Sequence, residues 1–266
     1  MTRKVIVTGT GLHTGVPVRV VLQAREGSVR FSSRGIEVAL DELRVASTAR
    51  ATTVEARGLR VGTVEHVLAA LGGLGVYDGV SIEIDGPEMP LLDGGAAAWC
   101  DAVRDLQVPC GRPRLRVTRH AVIEVGRSRY ELSPSPAVEV DVRLEIDDPR
   151  ISPDARWRGD AEDFHVRIAP ARTFAFAHEV DDLLRQGLAC HVNPASVVLI
   201  APHAIHHTGR PFSPDEPARH KLLDLVGDIY LRGGPPLGRV SAVRPGHSSN
   251  ARAFDQACAE GVLVSA

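Results

Sequence analysis

The chain has 266 residues, 44% of them apolar, with a formal net charge of −2; that suffices for one large core or two smaller ones, and two domains are expected at this length. With no long run of one charge, it carries no electrostatic footprint for nucleic acid or an anionic membrane surface. No apolar stretch reaches the length of a membrane span and residues 1–7 are too short before their glycines for a secretory leader, while Cys100, Cys110, Cys190 and Cys258 show no close pairing motif and read as free thiols of a cytoplasmic protein.

In chain order, Val5 to Val7 reads as a short strand, and a glycine-rich turn over 9–15 separates it from Val16, Val18, Val20 and Leu22, whose alternation is strand periodicity. Because this loop opens a strand rather than a helix, a hairpin turn fits it better than a dinucleotide-binding loop. Residues 28–40 form another hairpin, and 41–62 are mixed with strand character at 51–54. A helix over about 64–74 takes Thr63 as its N-cap. Val80 to Ile84 alternates as a strand, 86–90 is a turn, Asp93-Gly94-Gly95 precedes a helix over about 96–107, and Pro109 to Pro113 reads as a domain linker.

The second half repeats the scheme. Strands are expected at 114–118, 120–125, 128–133 and 137–146, and after a polar stretch another near 164–169. Then come Ala171-Arg172-Thr173-Phe174, a helix near 178–187, a strand at 197–200, a Pro/His-rich loop over 201–217 and a helix over about 218–231. A strand at 238–243 leads into a glycine-containing turn that holds His247, and a final helix runs to about 260. Each half is several strands with helices late in the unit. The expected fold class is therefore α+β: two similar domains, 1–111 and 112–266, packed face to face with helices sandwiched between sheets.

Chemistry concentrates on two of these helices. His220 and Asp224 are four apart and share one helix face, so together they can hold a divalent metal. A third ligand from elsewhere would leave the fourth position open, as in catalytic zinc sites. Taken alone, such a pair is more often an ordinary surface contact. However, residues 65–74 and 219–228 align without gaps, each with a histidine opening an apolar run and with Gly73 and Gly227 at the same offset. This reads as a duplicated unit in which each copy delivers one histidine, His66 and His220, to a shared site, with Glu65 beside it as a base. His203, His206 and His207, near Asp215 and Glu216, form a competing cluster that reads as a polar surface loop.

The blocks Gly11-Leu12-His13-Thr14-Gly15, Thr63-Val64-Glu65-His66, Asp93-Gly94-Gly95-Ala96-Ala97, Arg172-Thr173-Phe174, Arg219-His220-Lys221 through Gly227-Asp228, and Gly246-His247 occur in this order. Together they resemble the UDP-3-O-acyl-N-acetylglucosamine deacetylases, the zinc amidases of the committed step of lipid A synthesis. The resemblance implies a two-domain sandwich and His66, His220 and Asp224 as zinc ligands. It implies Glu65 as general base and His247 as the acid or the cation that stabilises the oxyanion. Thr173 would help bind the oxyanion, and Asp228 would orient and charge-stabilise His247. Lys221 would contact substrate near the scissile amide, and the passage around Phe174 to Leu188 would take the acyl chain of a UDP-linked acylated amino sugar. An open site of two histidines and an aspartate accepts Fe2+ as well as Zn2+. A monomer is the default expectation.

Three places depart from the family pattern. Cys190 to Ser196 replaces a Gly-Gly-Ser turn, Ser128 stands where a lysine is usual, and Ile146-Asp147-Asp148 lacks an aromatic residue and adds negative charge near the expected diphosphate. Two other readings therefore stand beside the lipid A enzyme: a related zinc deacetylase acting on another N-acetylated sugar, and an idle homologue that binds without chemistry.

Overall fold

A computed structural model describes residues 3–189 and 191–266; Cys190, read above as a free thiol and as the start of the altered turn, lies outside the described residues. The first half begins with the antiparallel strands β1 (Lys4–Thr10) and β2 (Pro17–Ser28), followed by β3 (Arg30–Ser33) and β4 (Ile36–Ala39). Three short strands, β5 (Arg44–Ser47), β6 (Thr53–Ala56) and β7 (Leu59–Val61), make a small sheet of their own. Helix α1 (Glu65–Gly73), strand β8 (Asp78–Asp85) and helix α2 (Ala97–Leu106) complete it. The main sheet has the order β1-β2-β8-β3-β4. The glycine-rich segment between β1 and β2 is a hairpin turn, closed by the Gly11 N–H on Val16 O at 3.0 Å.

The second half holds β9 (Leu115–Val117), β10 (Ala121–Val125), β11 (Ser128–Ser133), β12 (Val138–Arg143) and β13 (Asp154–Trp157). Next come one turn of helix, α3 (Ala161–Asp163), strand β14 (Thr173–Phe176), helix α4 (Ala177–Arg185), and strands β15 (Val197–Ile200) and β16 (Ile205–His206). The chain ends with helix α5 (Glu216–Tyr230), β17 (Gly238–Val243), helix α6 (His247–Ala259) and β18 (Leu263–Ser265), which pairs with β9. The second five-stranded sheet is β10-β11-β17-β12-β13, with β12 and β17 parallel.

The helices lie between the sheets. α2 rests on β1 and β2 and supports α1, whereas α5 rests on β12 and β13 and α6 on β10. α1 and α5 pack directly on each other. Every residue of α1 is buried, as expected for a helix that is apolar all round after its first turn. The two helices meet at Gly227, where a Cβ would stand 2.0 Å from the Glu65 carbonyl oxygen, so only glycine permits this approach.

Two local expectations are corrected. Thr63 does not cap α1: its backbone is left-handed (φ 56°) and its hydroxyl donates to the buried Glu88 at 3.0 Å, while Val64 occupies the capping position. Residues 164–169 are not a strand, because Phe164–Ile168 forms a π-helical turn that continues α3. Apolar residues at 164, 166 and 168 alternate as in a strand, but Phe164 and Ile168 are fully buried while Val166 is 65% exposed, which places i and i+4 on one face and i+2 on the other, as in a helical turn. Asp160 starts this turn, its carboxylate accepting the Asp163 N–H at 2.6 Å.

Candidate active site

The first turn of α1 supplies His66, and one face of α5 supplies His220 and Asp224. The ligating atoms of the three lie within 4.8 Å of one another. His220 Nε2 and His66 Nε2 stand 3.5 and 3.8 Å from Asp224 Oδ1, and the two imidazole rings meet edge to face at 5.3 Å. Oδ1 is buried without a hydrogen-bond partner, whereas Oδ2 accepts from Lys221 Nζ at 2.7 Å. His220 Nδ1 is 3.0 Å from the Ala171 carbonyl oxygen, which can only accept, so Nδ1 carries the proton and Nε2 turns its lone pair toward Oδ1. An orphaned carboxylate oxygen facing two imidazole nitrogens at this spacing fits donors gathered around one ion at about 2.0–2.2 Å. Among the described residues no other three such side chains converge this closely, so His203, His206 and His207 do not form a second centre.

The electrostatics agree with a ligand set. Burial, and then the neighbouring His220, push His66 down to about 3; burial also lowers His220, so both rings are neutral. Burial raises the Asp224 carboxyl, but its neighbours, the Lys221 and His247 cations among them, hold it well below the usual range, so it is ionised. Neutral imidazole and carboxylate are the forms that bind metal.

Glu65 and His247 line the same cavity, of about 450 Å3. The Glu65 carboxylate accepts the Thr52 N–H at 2.9 Å. Burial foremost, with Asp224 and Asp228 adding to it against the charge of His247, raises its carboxyl to about 7. His247, expected in a flexible turn, is instead the first residue of α6 and only 10% exposed at its side chain. Its Nδ1 donates to Asp228 Oδ2 at 3.0 Å and its Nε2 is 3.8 Å from Asp224 Oδ2. Burial opposes a charge there, yet Asp228 and Asp224 outweigh it and lift the imidazolium to about 10. Asp228 sits behind His247 and accepts two further bonds, from the Thr52 hydroxyl on Oδ1 at 2.6 Å and from Asn250 Nδ2 on Oδ2 at 2.7 Å.

Thr173 and Phe174 open β14 and face this cavity with Lys221. Thr173 is anchored by its N–H on Gly94 O at 2.7 Å, and Lys221 Nζ lies 5.6 Å above the Phe174 ring. Gly94 is required because Ser196 O would stand 1.7 Å from a Cβ at that position. Behind Thr173, the fully buried Arg172 meets Glu216 through its N–H at 3.0 Å, Nε at 2.8 Å and a terminal nitrogen at 3.1 Å. Leu12, Arg50, Thr173 and Phe174 also border a second, largely apolar cavity of about 600 Å3, walled by Val180 and Leu183 of α4 and by Val192 and Pro194 of the altered turn.

Sequence reasoning missed Thr52, Asn250 and the Arg172–Glu216 pair. Asn250 follows His247 by one helical turn and was open to a spacing argument; nothing marks Thr52 in a stretch of strand-forming residues. The other departures have local partners: Ser128 Oγ donates to Arg244 O at 2.7 Å, and Asp148 is gripped by Arg150 Nε at 2.9 Å, which offsets its charge.

The model of the UDP-3-O-acyl N-acetylglycosamine deacetylase family (LpxC) matches residues 1–259. Relatives named UDP-3-O-acyl-N-acetylglucosamine deacetylase include one from Anaeromyxobacter sp. (strain Fw109-5), 34% identical over 93% of this chain and 84% of its own length. Another, from Thermosynechococcus vestitus, is 36% identical over 90% of this chain and 86% of its own length. A third, from Myxococcus xanthus, is 35% identical over 91% and 80%. Matched by the family model over residues 1–259 and by relatives over at least nine-tenths of its length, this chain belongs to the UDP-3-O-acyl N-acetylglycosamine deacetylase family.

Proposed function

We propose that this protein is the zinc-dependent deacetylase of lipid A biosynthesis that hydrolyses the N-acetyl group of UDP-3-O-acyl-N-acetylglucosamine and releases acetate. The observation that carries this reading is the convergence of His66, His220 and Asp224 in one cavity with an acid–base pair, Glu65 and His247. Zn2+, with Fe2+ as the alternative, is the ion we assign to the three ligands. When bound, such an ion supplies Lewis acidity that polarises the amide carbonyl and makes water acidic enough to attack at neutral pH.

The chain's own groups do the rest. Glu65 takes a proton from the attacking water, and burial gives it a basicity matched to that task. His247 stays cationic through Asp228, stabilises the developing oxyanion and gives its Nε2 proton to the leaving amine. The Thr173 hydroxyl adds a donor to the oxyanion. Lys221 holds Asp224 Oδ2 and reaches substrate beside the Phe174 ring. The apolar cavity next to Phe174 suits the acyl chain.

We also propose that residues 1–111 and 112–266 are two domains sharing this site, and that the enzyme works as a cytoplasmic monomer. All three ligands and both acid–base groups come from one copy of the chain. Cys100, Cys110 and Cys258 are free thiols, which suits a reducing compartment.

The test is metal content and deacetylation of UDP-3-O-acyl-N-acetylglucosamine on wild type, His220→Ala and Glu65→Gln. Wild type should hold one metal and turn over, and His220→Ala should lose both. Glu65→Gln should keep its metal and fall about 10²- to 10⁴-fold in kcat. Metal without turnover in the wild type, alongside hydrolysis of another N-acetyl sugar, would overturn the substrate assignment.

A further inference from the structure

Thr52 is buried (2% exposed) and spends three polar groups on three different partners. Its carbonyl accepts the Val64 N–H at 3.2 Å, and its own N–H donates to Glu65 Oε2 at 2.9 Å. Its hydroxyl donates to Asp228 Oδ1 at 2.6 Å and lies 3.3 Å from His247 Nδ1. The first two contacts serve the start of α1, which has no side-chain cap of its own. The third crosses to α5. One residue from the loop before β6 therefore touches the base directly and the acid through its aspartate.

We propose that Thr52 is a positioning residue that sets the base and the acid of this site relative to each other; this rests on the deacetylase reading above. Hydrolysis of an amide needs a proton removed from water and another delivered to nitrogen, so the two groups must be held in register across one substrate. Asp228 could rotate about its side-chain bonds if only His247 and Asn250 held it, since both bind Oδ2. The Thr52 hydroxyl takes the other oxygen and leaves the carboxylate one orientation. His247 inherits that orientation through Nδ1, and its Nε2 is then aimed into the cavity. The Thr52 N–H does the same for Glu65 by donating to its Oε2.

The experiment compares Thr52→Val, which deletes only the hydroxyl, with Thr52→Ser, which keeps it. Metal content, steady-state kinetics on UDP-3-O-acyl-N-acetylglucosamine, and the low-field proton resonance of His247 Nδ1–H are measured on each metal-loaded protein. Thr52→Val should lose about 10- to 100-fold in kcat with KM little moved and metal retained, its His247 resonance should shift or broaden, and Thr52→Ser should recover most of both. Thr52→Val turning over like wild type, or Thr52→Ser falling as far as Thr52→Val, would overturn the proposal. If wild type does not act on this substrate, the function assigned above fails; a displaced His247 resonance in Thr52→Val and a native one in Thr52→Ser would still support the positioning role, and an unmoved resonance would sink it. Should Thr52→Val lose its fold or metal, Thr52→Cys, of similar size and with only a weak donor, carries the same comparison.

Discussion

Asp224 divides its carboxylate between two tasks, one oxygen held by Lys221 and the other left for the histidine pair. Support of a ligand by its neighbour's charge is what keeps a buried carboxylate ionised and oriented. Glu216 shows the same logic away from the metal site. Burial pushes its carboxyl up, but the hydrogen bonds and charge of Arg172, with Arg210 beyond, hold it below the usual range. A depressed carboxyl stabilises the fold fully above the unfolded value of about 4.3 and stops doing so as pH falls through the lower folded value. Glu216→Gln should cost about 3–5 kcal/mol at neutral pH, because it leaves the Arg172 guanidinium buried without a counter-ion. In urea unfolding, the gap between wild type and Glu216→Gln should narrow on going from about pH 5 to about pH 3. A gap that stays constant across that range would mean the pair does not act through its charge.

At the scale of elements, the close contact of α1 with α5 is what brings two sequence-distant histidines together. The contact depends on Gly227 lying against the backbone of Glu65. Gly227→Ala forces a methyl into that space, and overpacking of this kind costs about 1–3 kcal/mol. The displaced element would be the first turn of α1, so metal affinity should fall together with stability. Denaturant unfolding of the apoprotein and a metal titration check the two effects separately; unchanged affinity would mean that the helices can part without moving His66. The strand expected at 164–169 failed at this scale because hydrophobic spacing over five residues cannot separate a strand from one helical turn.

For the molecule as a whole, a metal held by the proposed ligands on α1 and α5 would be a cross-link between segments that lie far apart in the chain. An ion that binds only the folded state stabilises by mass action, by about 2.7 kcal/mol at a free concentration one hundred times its Kd. Chelation should therefore lower the Tm of wild type, and re-addition of Zn2+ should restore it. His220→Ala should show neither response. A Tm indifferent to chelation in the wild type would mean that the folded chain binds no metal in preference to the unfolded one, and would overturn the ligand assignment.

The alternation of Val18, Val20 and Leu22, the all-apolar run after His66 and the four-residue spacing of His220 and Asp224 were legible because each depends only on the period of its own element. The α+β class followed from the same periods. The grip of Thr52 on Glu65 and Asp228, the reach of Asn250 to Asp228, the burial of Arg172 against Glu216 and the place of His247 on a helix were decided by tertiary structure. A polar side chain leaves no periodic trace of the partner that will satisfy it. That partner is chosen when sheets and helices pack and the desolvated group must find a donor or acceptor within reach.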